Sequence, residues 1–258
     1  MIALDGVALA YGTRTILAGV TLALGAGEVV ALVGANGAGK STLLRAIAGT
    51  GPFAAGTIAF DGRSIATLDA RERGRTVALI EAEGPIPDGV SVADVVAAGR
   101  LPYRPWWRWS SSAADRAAVD AAIARLELEA LRERPFAQLS SGERQRVWIA
   151  MAVAQAAPTL LLDEPTSHLD IRHTFEALTL IRRLTRDGTS SIVVLHDLNV
   201  AAAFADRIAL LGEGTLLACD TPQAIFDEAL LARAYGIPIA VRRDPDGTLV
   251  AFAVPPER

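Results

Sequence analysis

EVVALVGANGAGKST, residues 28–42, opens as a short β-branched apolar run, breaks into glycines and restarts on Lys40. A run of that kind reads as a strand buried on both faces, and the pattern after it reads as a helix. Between them, Gly34–Thr42 matches G-x-x-x-x-G-K-[ST]. A phosphate needs several N–H donors converging at close range, and glycine lets the backbone approach that closely. The new helix adds the positive end of its dipole. The spacing therefore predicts an anion cradle made by Gly34, Asn36, Gly37, Ala38, Gly39, Lys40, Ser41 and Thr42. Lys40 would reach β- and γ-phosphates, and the Ser41 hydroxyl would ligate Mg²⁺. Strand, full pattern and helix together point to a nucleotide.

Outward from this stretch the same alternation continues. Buried strands are predicted at Val77–Ile80, Leu160–Leu162 and Ile192–Leu195, with helical periodicity between them, notably over Arg172–Arg183. Such alternation predicts an α/β fold with a mostly parallel sheet and helices on both faces. Before it, Ile2, Leu4, Val7 and Leu9, then Val20, Leu22 and Leu24, follow strand periodicity around a Tyr11-Gly12 turn, predicting an antiparallel β portion. From about Val92 to Gln155 the pattern is helical, with helices over Asp115–Leu126 and Glu143–Gln155, as an insertion in the α/β core. A hairpin through Gly212-Glu213-Gly214, two short helices and weak strands around Pro238–Val254 follow. The expected organisation is one domain, 1–258: a nucleotide-binding core of 1–83 and 158–215, a helical subdomain of 84–157, and a C-terminal extension of 216–258.

Composition narrows the function classes. At 258 residues and 51% hydrophobic content there is ample material for a core. Mean hydropathy is +0.32, yet runs such as Val29–Val33 fall far short of the ~20 residues that cross a bilayer. Net charge of −4 argues against a nucleic-acid surface. One cysteine, Cys219, excludes an intrachain disulfide, and the opening MIALDGVALAYG lacks the basic and apolar regions of a signal peptide. A cytosolic chain is expected.

Leu160–Thr166 (LLLDEPT) is an apolar strand ending in two acids. Ligands of open α/β sheets bind at strand C-termini, so Asp163 would orient a Mg²⁺ shell, through water, and Glu164 would polarise an attacking water as general base. His196 ends the later strand SIVVLHD, placed to contact a γ-phosphate and hold the water beside Glu164. His168 and His173 have no metal-like companions, so no metal beyond Mg²⁺ is expected.

Leu139–Val147 (LSSGERQRV) closely resembles the LSGGQ signature of ABC (ATP-binding cassette) ATPases. With the glycine loop, the Asp163-Glu164 pair, Ser167-His168-Leu169-Asp170 and His196, the resemblance covers almost the whole chain. It implies a P-loop core that hydrolyses Mg-ATP and pairs head to tail with a second copy. Ser140, Ser141, Gly142 and Glu143 would then face the γ-phosphate held by the partner's Lys40. Tyr11 resembles the aromatic that stacks on adenine, with a core tyrosine as the alternative, and Asp170 resembles the residue linking the two sites. One departure stands out. After the strand at Val77–Ile80 the family usually carries a glutamine that touches Mg²⁺ and senses the membrane partner. Here Ala82 holds that position between Glu81 and Glu83, so either a glutamate substitutes or coupling is built differently.

GVSVADVVAAGRLPY and CDTPQAIFDEALLARAYGIPIAV look most like ATPases of importers for iron-siderophores, haem or cobalamin. The resemblance implies a peripheral subunit at the cytoplasmic face of the inner membrane, bound to integral permease subunits and acting indirectly with a substrate-binding protein. A soluble ABC enzyme and a weakly catalytic regulatory subunit are the alternatives, and import is favoured. Two stretches stay open at this stage. Tyr103–Trp109, with three of four tryptophans, suits either a permease contact or internal packing. Glu127–Arg134 (ELEALRER) reads as a solvated helix face with i,i+4 pairs.

Overall fold

The computed structural model describes residues 1–81, 89–105, 110–167 and 169–255. Ala82, Glu83, Trp106, Trp107, Arg108, Trp109 and His168 lie outside the described residues. In chain order the elements are β1 (Ile2–Tyr11), β2 (Arg14–Leu24), β3 (Val29–Gly34), α1 (Lys40–Ile47), β4 (Ala55–Phe60), β5 (Arg63–Ser64), α2 (Ala70–Thr76), β6 (Val77–Glu81), α3 (Val92–Ala98), α4 (Ala113–Arg125) and α5 (Ser141–Gln155). There follow β7 (Thr159–Asp163), α6 (Ile171–Arg186), β8 (Ser190–Val194), α7 (Leu198–Phe204), β9 (Arg207–Gly212), β10 (Thr215–Asp220), α8 (Pro222–Ile225), α9 (Glu228–Tyr235), β11 (Ile239–Arg243) and β12 (Leu249–Ala253).

The central sheet has the order β10-β9-β3-β8-β7-β6, parallel except for β10. Every residue of β3, β7 and β8 is buried, as strands covered on both faces require. The two-residue period sorts their side chains cleanly. Ala31, Val33, Leu160, Leu162, Val193 and Leu210 face one core with the helices α5, α6 and α7. Val30, Leu32, Leu161, Ile192, Val194 and Leu211 face another, with Leu43, Leu44 and Ile47 of α1 and the inward residues of β1, β2 and β4. Truncating Leu32, which is wholly buried, to alanine would cost about 2–5 kcal/mol. Helices lie on both faces as expected, but they do not cover both alone. One face is covered by α1 and the antiparallel sheet β2-β1-β4-β5, because that sheet's alternating side chains supply an apolar layer of their own.

The helical stretch packs α3, α4 and α5 around Val92, Val96, Ile123 and Ile149. Three of these N-termini carry capping boxes, Ser91 with Asp94, Ser112 with Asp115, and Ser140 with Glu143. Arg100 is 8% exposed; it donates to Asp115 Oδ1 at 3.1 Å and to the Ala154 carbonyl at 2.7 Å, and lies 3.7 Å from the Tyr103 ring centre. Tyr103 is thus held within this bundle. Glu127–Arg134 is not a helix face with i,i+4 pairs. Glu127 has φ of +55°, which ends α4, Leu128 is fully buried, a single tight turn follows, and Arg132 pairs back with Asp120 of α4 and with Glu133. The hairpin between β9 and β10 forms as expected, with Glu213 and Gly214 both at positive φ. No described helix is long and apolar enough to cross a membrane.

Candidate nucleotide site

Three adjacent strands bring the site together. β3 delivers the glycine loop, β7 delivers Asp163 and Glu164, and β8 between them leads into His196. The turn out of β3 depends on Gly34. Its φ is +146°, and a Cβ there would sit 2.3 Å from the Leu211 carbonyl oxygen, so no other residue fits. α1 starts at Gly39 with no side-chain cap, leaving its first amides available to a ligand. Around this N-terminus lies an open depression of about 440 Å³, lined by Asn36, Gly37, Gly39, Lys40, Ser41, Thr42, Glu164 and His196. Ile16 completes the wall. Gly34 and Ala38 support the loop from behind, Ala38 by donating its N–H to the Ala35 carbonyl at 3.1 Å.

Lys40 is 5% exposed and curls back on the loop, its Nζ donating to the carbonyls of Gly34 at 2.8 Å and Ala35 at 3.0 Å. Burial pulls its ammonium below the ordinary lysine value, against the charges of Glu164 and Asp163, which push the other way. The Ser41 hydroxyl donates to Asp163 Oδ1 at 3.0 Å. Burial raises the Asp163 carboxyl above its usual range, opposed by that hydrogen bond and reinforced by Glu164. A serine hydroxyl and a half-desolvated carboxylate side by side are the hard oxygen donors that Mg²⁺ takes, so the residues present fit that ion.

Glu164 sits at φ +52°, a strained position for a side chain of its size, and the turn aims its carboxylate into the depression. His196 Nε2 lies 2.8 Å from Oε1, and the Ser167 hydroxyl donates to Oε2 at 3.0 Å. Burial pushes the Glu164 carboxyl up, but the hydrogen bonds from His196 and Ser167 and the charges of His196 and Lys40 outweigh it and hold it below the glutamate range. It is therefore an ionised acceptor at neutral pH. The holding role of Ser167 escaped the sequence reading; its signal is a serine three residues after a strand-end acid, where a hydroxyl can reach back.

The remaining expected residues lie elsewhere. Tyr11, 54% exposed at the end of β1, is not a core residue, and it does not line the depression. Ser140–Glu143 form the N-terminus of α5 and do not line it either. Ser140 and Ser141 are exposed, and the Glu143 carboxylate is taken up in the cap, accepting from Ser140 N and Oγ, both at 2.8 Å. Asp170 caps α6 through the His173 amide at 2.8 Å. Glu81 stands opposite Asp163 in the β6–β7 register, and its carboxylate is engaged by Arg45 Nε at 2.6 Å. Among the described residues no group of three or more His, Cys, Asp or Glu could hold a metal by itself.

The ABC transporter family profile matches residues 17–167, which span the glycine loop, the signature and the Asp163-Glu164 pair. The chain belongs to the ABC transporter family. This ABC chain is 43% identical over 243 residues to the hemin import ATP-binding protein of Streptomyces coelicolor, covering 94% of this chain and 86% of that one. It is 38% identical over 239 residues to the achromobactin transport ATP-binding protein of Dickeya dadantii, covering 92% and 88%. Among solved structures, a metal-chelate type ABC transporter in an inward-facing conformation superposes with a TM-score of 0.84 over all of this chain and 98% of that one, at 24% identity, which speaks to fold. A dimeric ATP-binding cassette in a post-hydrolysis state with ADP and Pi gives 0.74 at 29% identity, covering 86% and 99%. This ABC chain has the α/β cassette fold and is an ATPase of that family.

Proposed function

We propose that this chain is the subunit whose ATP hydrolysis drives an importer for haem or a ferric siderophore, docked on permease subunits at the cytoplasmic face of the membrane. The observation that carries the catalytic part is the Glu164 carboxylate, kept ionised and aimed by His196 and Ser167 at the mouth of the glycine loop. The cargo class draws support from the hemin and achromobactin relatives, which match over nine-tenths of the chain.

In this reading the loop amides and the α1 N-terminus bind the nucleotide's phosphates, and Lys40 turns from the loop carbonyls to the β- and γ-phosphates. Ser41 and, through water, Asp163 would hold Mg²⁺, which would neutralise phosphate charge. Glu164 accepts the proton of the attacking water, and His196 fixes the carboxylate and reaches toward the γ-phosphate. Tyr11, exposed at the end of β1, supplies a stacking face for adenine. Ser140, Ser141, Gly142 and Glu143 do not line the depression, which supports a site completed by a second copy: the exposed N-terminus of α5 is an anion-binding end turned outward. Asp170, at the head of α6, joins the two halves. Closure of two copies around two nucleotides would push the permease between access states, and hydrolysis would release them.

A tagged pull-down from detergent-solubilised native membranes, read by mass spectrometry, tests the transport assignment. Co-purification of a multi-span permease is expected, and its associated binding protein can then be screened with haem and ferric siderophores. Recovery of soluble partners alone overturns the importer reading and leaves the ATPase standing.

A further inference from the structure

The loop that presents Glu164 ends against the signature helix of the same chain. From Glu164 it passes through Ser167, whose hydroxyl holds Oε2, and reaches Asp170 at the head of α6. Asp170 Oδ1 accepts twice from His173, from the backbone N–H and from ring Nδ1, each at 2.8 Å. The His173 ring then fills the space over Gly142. A Cβ added at Gly142 would stand 2.6 Å from ring Cδ2 and 3.2 Å from Nε2. Glycine at this signature position is thus matched to the ring as well as to any phosphate.

With Nδ1–H donated to the Asp170 carboxylate, the ring tautomer that carries no hydrogen on Nε2 presents that atom as an acceptor. Gln145, in the first turns of α5, has its Nε2 buried and without a hydrogen-bond partner among the described residues. Both side chains line one small, partly open gap of about 40 Å³, shared with Gly142 and Leu169. A buried donor left unmade is costly, and a partner across the gap would recover that cost. An orphan donor and a free acceptor bordering the same space are complementary halves of a bond that a small approach of α5 to α6 would complete.

We propose that His173 is a positioning residue that ties the loop carrying Glu164 to the signature end of α5, with Gln145 as the group that closes onto its Nε2. Resting on the paired reading above, the tie makes the hydrolytic loop of one nucleotide site and the signature serving the other site move together. Coupling between the two sites then passes through one chain by way of Ser167, Asp170, His173 and Gln145.

The test uses the full chain and compares His173→Ala, His173→Gln and Gln145→Met. Three quantities are read: ATP affinity from a fluorescent nucleotide analogue, kcat with its Hill coefficient, and the melting temperature. His173→Ala and Gln145→Met are expected to lower kcat about tenfold and bring the Hill coefficient to about 1, with affinity kept within about twofold. His173→Gln, whose amide offers both a donor and an acceptor, restores most of both. Gln145→Met removes the orphan donor and is expected to keep or raise the melting temperature, so a purely structural role predicts unchanged catalysis. If Gln145→Met leaves kcat and Hill coefficient within about twofold of wild type, the proposal is overturned, even where His173→Ala fails to fold. A wild-type chain that neither pairs nor hydrolyses with ATP sinks the paired reading instead.

Discussion

The two neighbouring acids Asp163 and Glu164 are pushed in opposite directions by their surroundings, and each direction yields a prediction. Glu164 is held ionised by His196 and Ser167. Replacing it with glutamine keeps the shape and the hydrogen bond from Ser167 but removes the proton acceptor. Glu164→Gln should bind ATP with nearly wild-type affinity while kcat falls by about 10³-fold or more, and gel filtration with ATP should show a stable pair. Undiminished turnover would remove Glu164 from the general-base role. Asp163 is the reverse case, a carboxyl raised by burial. A raised acid favours the folded state only while protonated; that contribution fades as pH rises through the folded pKa, so at neutral pH the ionised group opposes folding. Asp163→Asn should therefore raise the melting temperature of the nucleotide-free chain, on the order of 2–4 °C, while weakening Mg²⁺-dependent nucleotide binding. A lower melting temperature would show that the Ser41 hydrogen bond outweighs desolvation.

At the scale of elements, the start of α5 carries two duties at once. Glu143 is spent on the helix cap, held below its usual range first by the Ser140 amide and then by the Ser140 hydroxyl. Its lowered pKa means the stabilisation is present above the unfolded value and is lost as pH falls through the folded one. Glu143→Gln should cost about 0.5–1 kcal/mol at pH 7 and nothing once the pH is well under 4, so denaturation curves of the two chains should converge in acid. Parallel curves at every pH would deny the cap its charge. The same helix shows why some of the molecule was legible in its residues and some was not. Buried strands announce themselves by local runs such as LLLD, and helices by their apolar period, so the sheet and the helical stretch were readable. The glycine loop and the acids were readable because phosphate chemistry constrains adjacent residues. Contacts between distant segments leave no such trace: His173 over Gly142 and Arg45 on Glu81 required the fold. Glu127–Arg134 misled because its charges are spaced like a helix, while the positive φ of Glu127 ends α4 and Leu128 turns inward.

For the whole molecule, the separation of the α5 N-terminus from the depression has a consequence that mixing can expose. If a working site takes Lys40 from one copy and the signature from its partner, a Lys40→Ala chain and a Ser141→Arg chain are each inactive alone, since both sites of each pair are spoiled. Lys40 is buried against the loop, and Ser141 is exposed on another element, so neither change touches the other's surroundings. In a mixed pair the two defects fall in one site together and the second site keeps an intact Lys40 and an intact signature. With half of all pairs mixed and one good site in each, the mixture should recover roughly a quarter of wild-type turnover, provided the sites work independently. If they are coupled through His173, recovery should fall below that level. ATPase activity across mixing ratios reads both terms. Activity flat at zero for every ratio, with mixed pairs demonstrated by differential tagging, would mean that each chain builds its site alone or that one site never turns over without the other; the Glu164→Gln chain mixed with wild type separates these, since only strict coupling silences the wild-type half.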